Sequence, residues 1–282
     1  MMTMPVQPST VRVNGVDLAY VERGRGAPVL FVHGSLGDYR LWGGQLAPFA
    51  ERHRAVAYSR RYHWPNAQPG EGATYPLAQH VADLGALIEA LGLAPAHVVG
   101  SSYGALTALT LAAERPALVR SLVLGEPPLL PWLAGLPGGP ALLEAFMAAA
   151  FGPAQRAFAR GEAEMGIRLF LDGVVGAGTF DRLPPELRRA VLDNAAAMRA
   201  ETVTRPEGYF PALSAADVGR LATPTLLVQG EVSPPMFGRI TEALARALPD
   251  AERATIPAAS HLMHVQDPPA YNAAVLAFFA RH

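Results

Sequence analysis

Residues 98–105 read Val98-Val99-Gly100-Ser101-Ser102-Tyr103-Gly104-Ala105. The stretch holds a G-x-S-x-G pentapeptide with a β-type run (97–100) leading in and a run of strong helix formers (105–114) leading out, ended by Arg115-Pro116. A nucleophile on so sharp a strand-to-helix turn sits in strained backbone, and the residues two before and two after it must be small. Of the two adjacent serines only Ser102 has glycine at both places, Gly100 and Gly104. Ser102 is therefore the candidate nucleophile and Ser101 its competitor. The helix that follows would aim its first amides at the site and favour negative charge developing there. A Gly/Ser-rich loop of this kind can also simply turn the chain or hold a phosphate, so the flanking strand and helix carry most of the information.

Working outward, residues 11–20 alternate around Asn14-Gly15, the signal of a hairpin. Residues 28–32 form a compact apolar run of the kind buried on both faces of a parallel sheet, ending at His33-Gly34. Strands are expected at 54–58, 97–100, 121–124, 224–228 and 252–256, and helices at 77–91, 105–114, 237–248 and 270–282. Strands alternating with helices argue for a mostly parallel sheet covered on both faces. Between 127 and 211 the pattern changes to Ala-rich helical stretches (141–150, 154–170, 186–201) separated by Pro and Gly, which reads as a helical insertion.

With 282 residues, half of them hydrophobic, the chain is long enough for one large core carrying an inserted subdomain. A net charge of -1 offers no basic field for nucleic acid and no polybasic patch for an acidic membrane, so the expected partner is a small neutral or apolar molecule. All 23 positive residues counted as Lys and Arg are arginine, which excludes lysine Schiff bases and Ser–Lys pairs. The absence of cysteine excludes thiol nucleophiles, disulfides and thiolate metal sites. No apolar run approaches the length of a membrane span and the first ten residues lack a secretory pattern, so a soluble, cytoplasmic protein is expected.

His33-Gly34-Ser35 after an early strand, the Gly100–Gly104 elbow, and a late Ser260-His261 followed by Gln266-Asp267-Pro268 together make the chain resemble the α/β-hydrolase superfamily over nearly its whole length. The resemblance implies an eight-stranded, mostly parallel sheet with a helical cap after the sixth strand. Residues 1–126 and 212–282 would then be the core, and 127–211 the cap. It implies that the base is the histidine in the loop after the last strand, here His261, with Ser260 replacing the usual glycine. It also implies an oxyanion hole of two backbone N–H groups, from Tyr103 after the nucleophile and from Ser35, with Leu36 as a possible substitute for Ser35.

One departure concerns the acid. Most relatives carry an aspartate after the seventh strand, where this chain has Ser233 in Gln229-Gly230-Glu231-Val232-Ser233. A neutral serine could orient an imidazole but not stabilise an imidazolium. Some relatives place the acid after the sixth strand, where this chain has Gly125-Glu126-Pro127, so Glu126 is preferred and Glu231 is the alternative. His264 could share a helical face with His261, but no carboxylate-bearing ligand pattern surrounds the pair, and no metal or cofactor is expected. His33 is read as a loop brace and one of Arg60 and Arg61 as core packing. Tyr62, His63 and Trp64 are candidates for a pocket rim. Trp42, Trp132, Leu133, Phe146, Met147, Phe151 and Phe170 could line an apolar cleft, although aromatics and methionines at helical spacing are more often core.

These parts suit hydrolysis of an ester-like bond through an acyl-enzyme. The same parts would serve a carbon–carbon bond hydrolase or an acyltransferase, while a non-catalytic small-molecule binder is the alternative of another class. Haloalkane and epoxide chemistry is disfavoured by serine at the elbow, and no G-x-G-x-x-G supports a dinucleotide enzyme.

Overall fold

A computed structural model of the protein describes residues 7–70, 73–203, 210 and 213–282. The expected boundary between insertion and core at 211 and 212 lies outside the described residues, as do residues 1–6. Eight strands form one sheet: β1 (Ser9–Val13), β2 (Val16–Arg23), β3 (Ala27–Val32), β4 (His53–Tyr58), β5 (Ala96–Ser101), β6 (Val119–Gly125), β7 (Thr225–Gly230) and β8 (Ala251–Ile256), in the order β1-β2-β4-β3-β5-β6-β7-β8. The β1–β2 and β2–β4 pairs are antiparallel and the other five are parallel. Asn14 and Gly15 both adopt left-handed backbone (φ 46° and 77°), the geometry a two-residue hairpin turn needs.

The apolar runs in the central strands face two cores. Leu30, Val32, Val98, Leu122 and Leu124 point to one side, against helices Leu77–Ala90, Tyr103–Glu114 and Pro235–Ala247. Val29, Phe31, Val99, Val123 and Val228 point to the other, against helices Gly43–Ala50 and Pro268–Phe279. Burial on both faces is why these strands read as continuous hydrophobic runs rather than alternations.

Between β6 and β7 the described residues hold no strand, and helices run from 130 to 203. Three boundaries there differ from the sequence expectation. The helix expected over 154–170 stops at Ala159, because Gly161 takes left-handed backbone (φ 79°) and the N–H groups of Gly161 and Glu162 return to Phe158 and Ala157. The one expected over 186–201 is cut at Asn194, whose side chain donates to Asp38 and to Ala190 O and accepts from Trp64 N–H. The stretch expected to end at 150 instead runs on through a π-helical turn, Met147–Phe151, into Gly152–Ala159. Pro153 has no N–H for the carbonyl four residues back, and loosening the register over that turn absorbs the defect. No helix of the described residues is long and apolar enough to cross a membrane.

Candidate active site

Strand register brings the elbow and Glu126 together. Ser101 at the end of β5 pairs with Gly125 at the end of β6, and Ser102 N–H donates to Gly125 O at 2.7 Å. Ser102 and Glu126 are thus the first residues beyond a matched pair of strand ends. Both leave the sheet through left-handed φ values, 53° and 47°. Such backbone costs a non-glycine residue about 1–3 kcal/mol and persists only where the surroundings enforce it. Here the surroundings are tight: a β-carbon on Gly100 would lie 2.5 Å from Ala105 Cα, and one on Gly104 2.2 Å from Val32 O.

His261 follows β8 and is almost fully buried. Its Nδ1 donates to Glu126 Oε2 at 2.6 Å, and the other carboxylate oxygen accepts from Gly230 N–H at 2.9 Å, at the end of β7. This bond sets the tautomer that leaves Nε2 as the free lone pair. Nε2 is buried without a partner, and His261 and Ser102 line one cavity. The Phe237 ring stacks on the imidazole at 4.0 Å and 16°, fixing its plane. Glu231 is placed elsewhere: it is exposed and accepts from Ala258 N–H at 2.7 Å. Ser233 Oγ is buried without a hydrogen-bond partner.

The loop after β3 borders the same cavity. A β-carbon on Gly34 would lie 2.9 Å from Ser102 Cβ, so this loop lies directly against the elbow. Ser35 lines the same cavity, and Tyr103 opens helix Tyr103–Glu114, whose first N–H groups have no intrahelical acceptor. Arg60, fully buried, donates to His33 O, Gly34 O and Tyr75 OH, and its own N–H donates to His33 Nε2. Arg61 pairs with the buried Asp83 at 2.7 Å. Both arginines therefore brace the core, where only one was expected to.

The expected pocket rim at 62–64 is not at the cavity. His63 is fully buried and bridges Gly37 O and Tyr75 OH, while Trp64 lies under the Arg40 guanidinium at 3.7 Å. The wall comes instead from helix Ala163–Val175, through Phe170, Leu171, Val174 and Val175. Of these only Phe170 stood among the aromatic candidates; the i, i+4 spacing of Phe170 and Val174, and of Leu171 and Val175, was the signal for the rest. The cavity volume is about 30 Å³, room for a water molecule or two.

His264 also lines this cavity, its ring tilted by 31° against Trp42 with centroids 4.4 Å apart. Burial, and secondarily His261, pushes its pKa down to about 3, and burial likewise holds His33, His63 and His80 well below the ordinary range. Unfolded histidine titrates near pH 6.5, so below that pH the unfolded chain binds more protons and stability falls as pH falls. His264 alone should cost about 2 kcal/mol on going from pH 7 to pH 5. Thermal melts should show Tm dropping across this interval, with a shallower slope in His264→Phe; parallel slopes for the two proteins would refute the account.

Residues 27–268 match the family model for the alpha/beta hydrolase fold. The chain is 32% identical to "Putative non-heme bromoperoxidase BpoC" of Mycobacterium tuberculosis, over 94% of this chain and 98% of that protein. Among solved structures it resembles carboxylesterase CesB (YbfK) from Bacillus subtilis, with TM-score 0.76 and 19% identity over 99% of this chain and 93% of that one. It also resembles a thermophilic esterase from Thermogutta terrifontis, with TM-score 0.75 and 22% identity over 98% of both chains. The chain belongs to the α/β-hydrolase fold family and is a hydrolase of that family.

Proposed function

We propose that the protein is a serine hydrolase that cleaves an ester-like bond in a small, largely apolar molecule. The observation that carries this reading is the imidazole of His261: Nδ1 is held by Glu126 at 2.6 Å, and Nε2 is unpartnered in the cavity that Ser102 lines. In this reading Nε2 takes the Ser102 proton as Oγ attacks the carbonyl carbon. Glu126 stabilises the imidazolium that results, and the N–H groups of Ser35 and Tyr103 receive the oxyanion. His261 then returns the proton to the departing alcohol. Water, deprotonated by the same histidine, releases the acid and frees Ser102. The apolar wall of Phe170, Leu171, Val174 and Val175 favours an uncharged acyl group, and the helical segment acts as a cap over it.

Intact-mass labelling with a fluorophosphonate tests the reading. Wild type and Ser101→Ala should each gain one adduct, and Ser102→Ala none. A folded wild type that stays unlabelled while a control serine hydrolase reacts would instead favour a non-catalytic binder.

A further inference from the structure

The loop after β3 is held from two sides by buried charges. From the core, Arg60 donates to His33 O and Gly34 O, each at 3.0 Å. From the helical segment, Glu201 on Ala195–Val203 is fully buried and accepts from Ser35 Oγ, 166 residues away in sequence. Burial works against the Arg60 charge, and Tyr75 and then Glu201 outweigh it, keeping the guanidinium protonated. Three consecutive loop residues are therefore fixed by one cation and one anion. Of the two, only Glu201 belongs to the helical segment between β6 and β7.

The same helical segment grips the loop a second time. Asp38, fully buried, receives Asn194 Nδ2 at 2.8 Å and Arg40 Nη2 at 2.7 Å, while Arg40 Nη1 donates to Asp193 at 2.9 Å. Those contacts hold the loop downstream of Leu36, whose left-handed backbone (φ 58°) lies between the two grips. The Glu201 bond is the one that acts on Ser35 itself.

We infer that Glu201 is a positioning residue for the oxyanion site: through Ser35 Oγ it sets the direction of the Ser35 N–H, and it does so only when helix Ala195–Val203 is seated. The inference rests on the proposed hydrolase reading. Its physical basis is that an oxyanion donor stabilises charge only when fixed in place beforehand, and a displacement of order 1 Å can cost about 100-fold in rate. Closing the helical segment over an acyl group would thus complete the oxyanion hole. A cap held off by an oversized substrate would leave the Ser35 N–H misdirected.

The experiment measures kcat and KM for p-nitrophenyl butyrate, and the rate of fluorophosphonate labelling, in wild type, Ser35→Ala, Glu201→Ala, Glu201→Gln and Ser35→Ala/Glu201→Ala. Ser35→Ala keeps the backbone N–H and removes only the hydroxyl. Each alanine variant should lose about 10-fold in kcat with KM little changed, and the double variant should be no worse than either single one, as expected for two groups acting through one bond. Glu201→Gln, whose amide oxygen can still accept from Ser35, should recover most of kcat even if its melting temperature is lower. Labelling rates should fall in parallel with kcat.

Single variants within twofold of wild type, additive losses in the double, or a loss confined to KM or Tm would overturn the positioning role. If Ser35→Ala alone keeps full kcat, the inference fails whether or not the Glu201 variants fold. An unlabelled, inactive wild type would remove the hydrolase reading itself, whereas a normally labelled, active wild type with unaffected variants would remove only the role of Glu201.

Discussion

On the proposed mechanism, replacing Glu126 with glutamine should lower kcat for a short ester by about 10⁴-fold while leaving the fold intact, by analogy with loss of the acid from serine triads. The two side chains have the same shape, and the amide oxygen can keep the Gly230 N–H that now bonds to Oε1 at 2.9 Å. The amide nitrogen would then face His261 Nδ1, where the carboxylate accepts at 2.6 Å. Two donors cannot share that bond, so the imidazole must carry its proton on Nε2, and Nε2 could no longer take the proton of Ser102. The imidazolium formed during attack would also lose its counter-charge inside a buried site. Glu231→Gln is the matched control. Its side chain is exposed and touches Ala258 N–H, a bond the amide oxygen can still accept, so kcat should stay within about twofold of wild type. Kinetics and thermal melts on both variants decide the matter: an active Glu126→Gln beside an inactive Glu231→Gln would reverse the assignment of the acid.

Gly104→Ala should destabilise the protein by about 3 kcal/mol or more, the upper range for overpacking, and lower Tm by roughly 6–12 °C for a chain of this size. The added β-carbon would sit 2.2 Å from Val32 O and 2.5 Å from His33 O. Both are backbone atoms at the end of a central strand, with no side-chain rotation available to relieve the contact. The helix Tyr103–Glu114 would have to lift from β3, or β3 would have to shift, and the displaced segment leads straight into Ser35. Residual folded protein should therefore also turn over more slowly. Gly92→Ala gives the contrast, since nothing lies within 4 Å of a β-carbon there, and its cost arises only from left-handed backbone (φ 61°). A Gly104→Ala protein that melts with wild type would mean that the strand and helix are not packed as tightly as this.

Much of the frame was legible in the chain because it rests on local rules. Gly100 and Gly104 on either side of Ser102 mark a turn that larger residues cannot make, and the run Val29-Leu30-Phe31-Val32 marks a strand buried on both faces. Asn14-Gly15 specifies its hairpin by backbone preference alone. The helical breaks at Gly161 and Asn194 were harder. Helix propensity around them is high, and Asn194 interrupts the helix while its side chain satisfies Asp38 and Trp64, both far away in sequence.

The site divides along the same line. By itself the sequence determined the mostly parallel sheet, the strained serine at its elbow and a histidine in the loop after the last strand, since each depends on residues within a few positions of one another. Tertiary structure decided which glutamate meets that histidine, because the His261–Glu126 bond joins residues 135 positions apart and exists only through the register of adjacent strand ends. It also decided that His63 belongs to the core, that Phe170 and its helical neighbours form the cavity wall, and that Glu201 reaches Ser35. No local pattern encodes such contacts: they arise where separately folded helices and loops close over one another, and burial there strengthens each polar bond while making its loss costly.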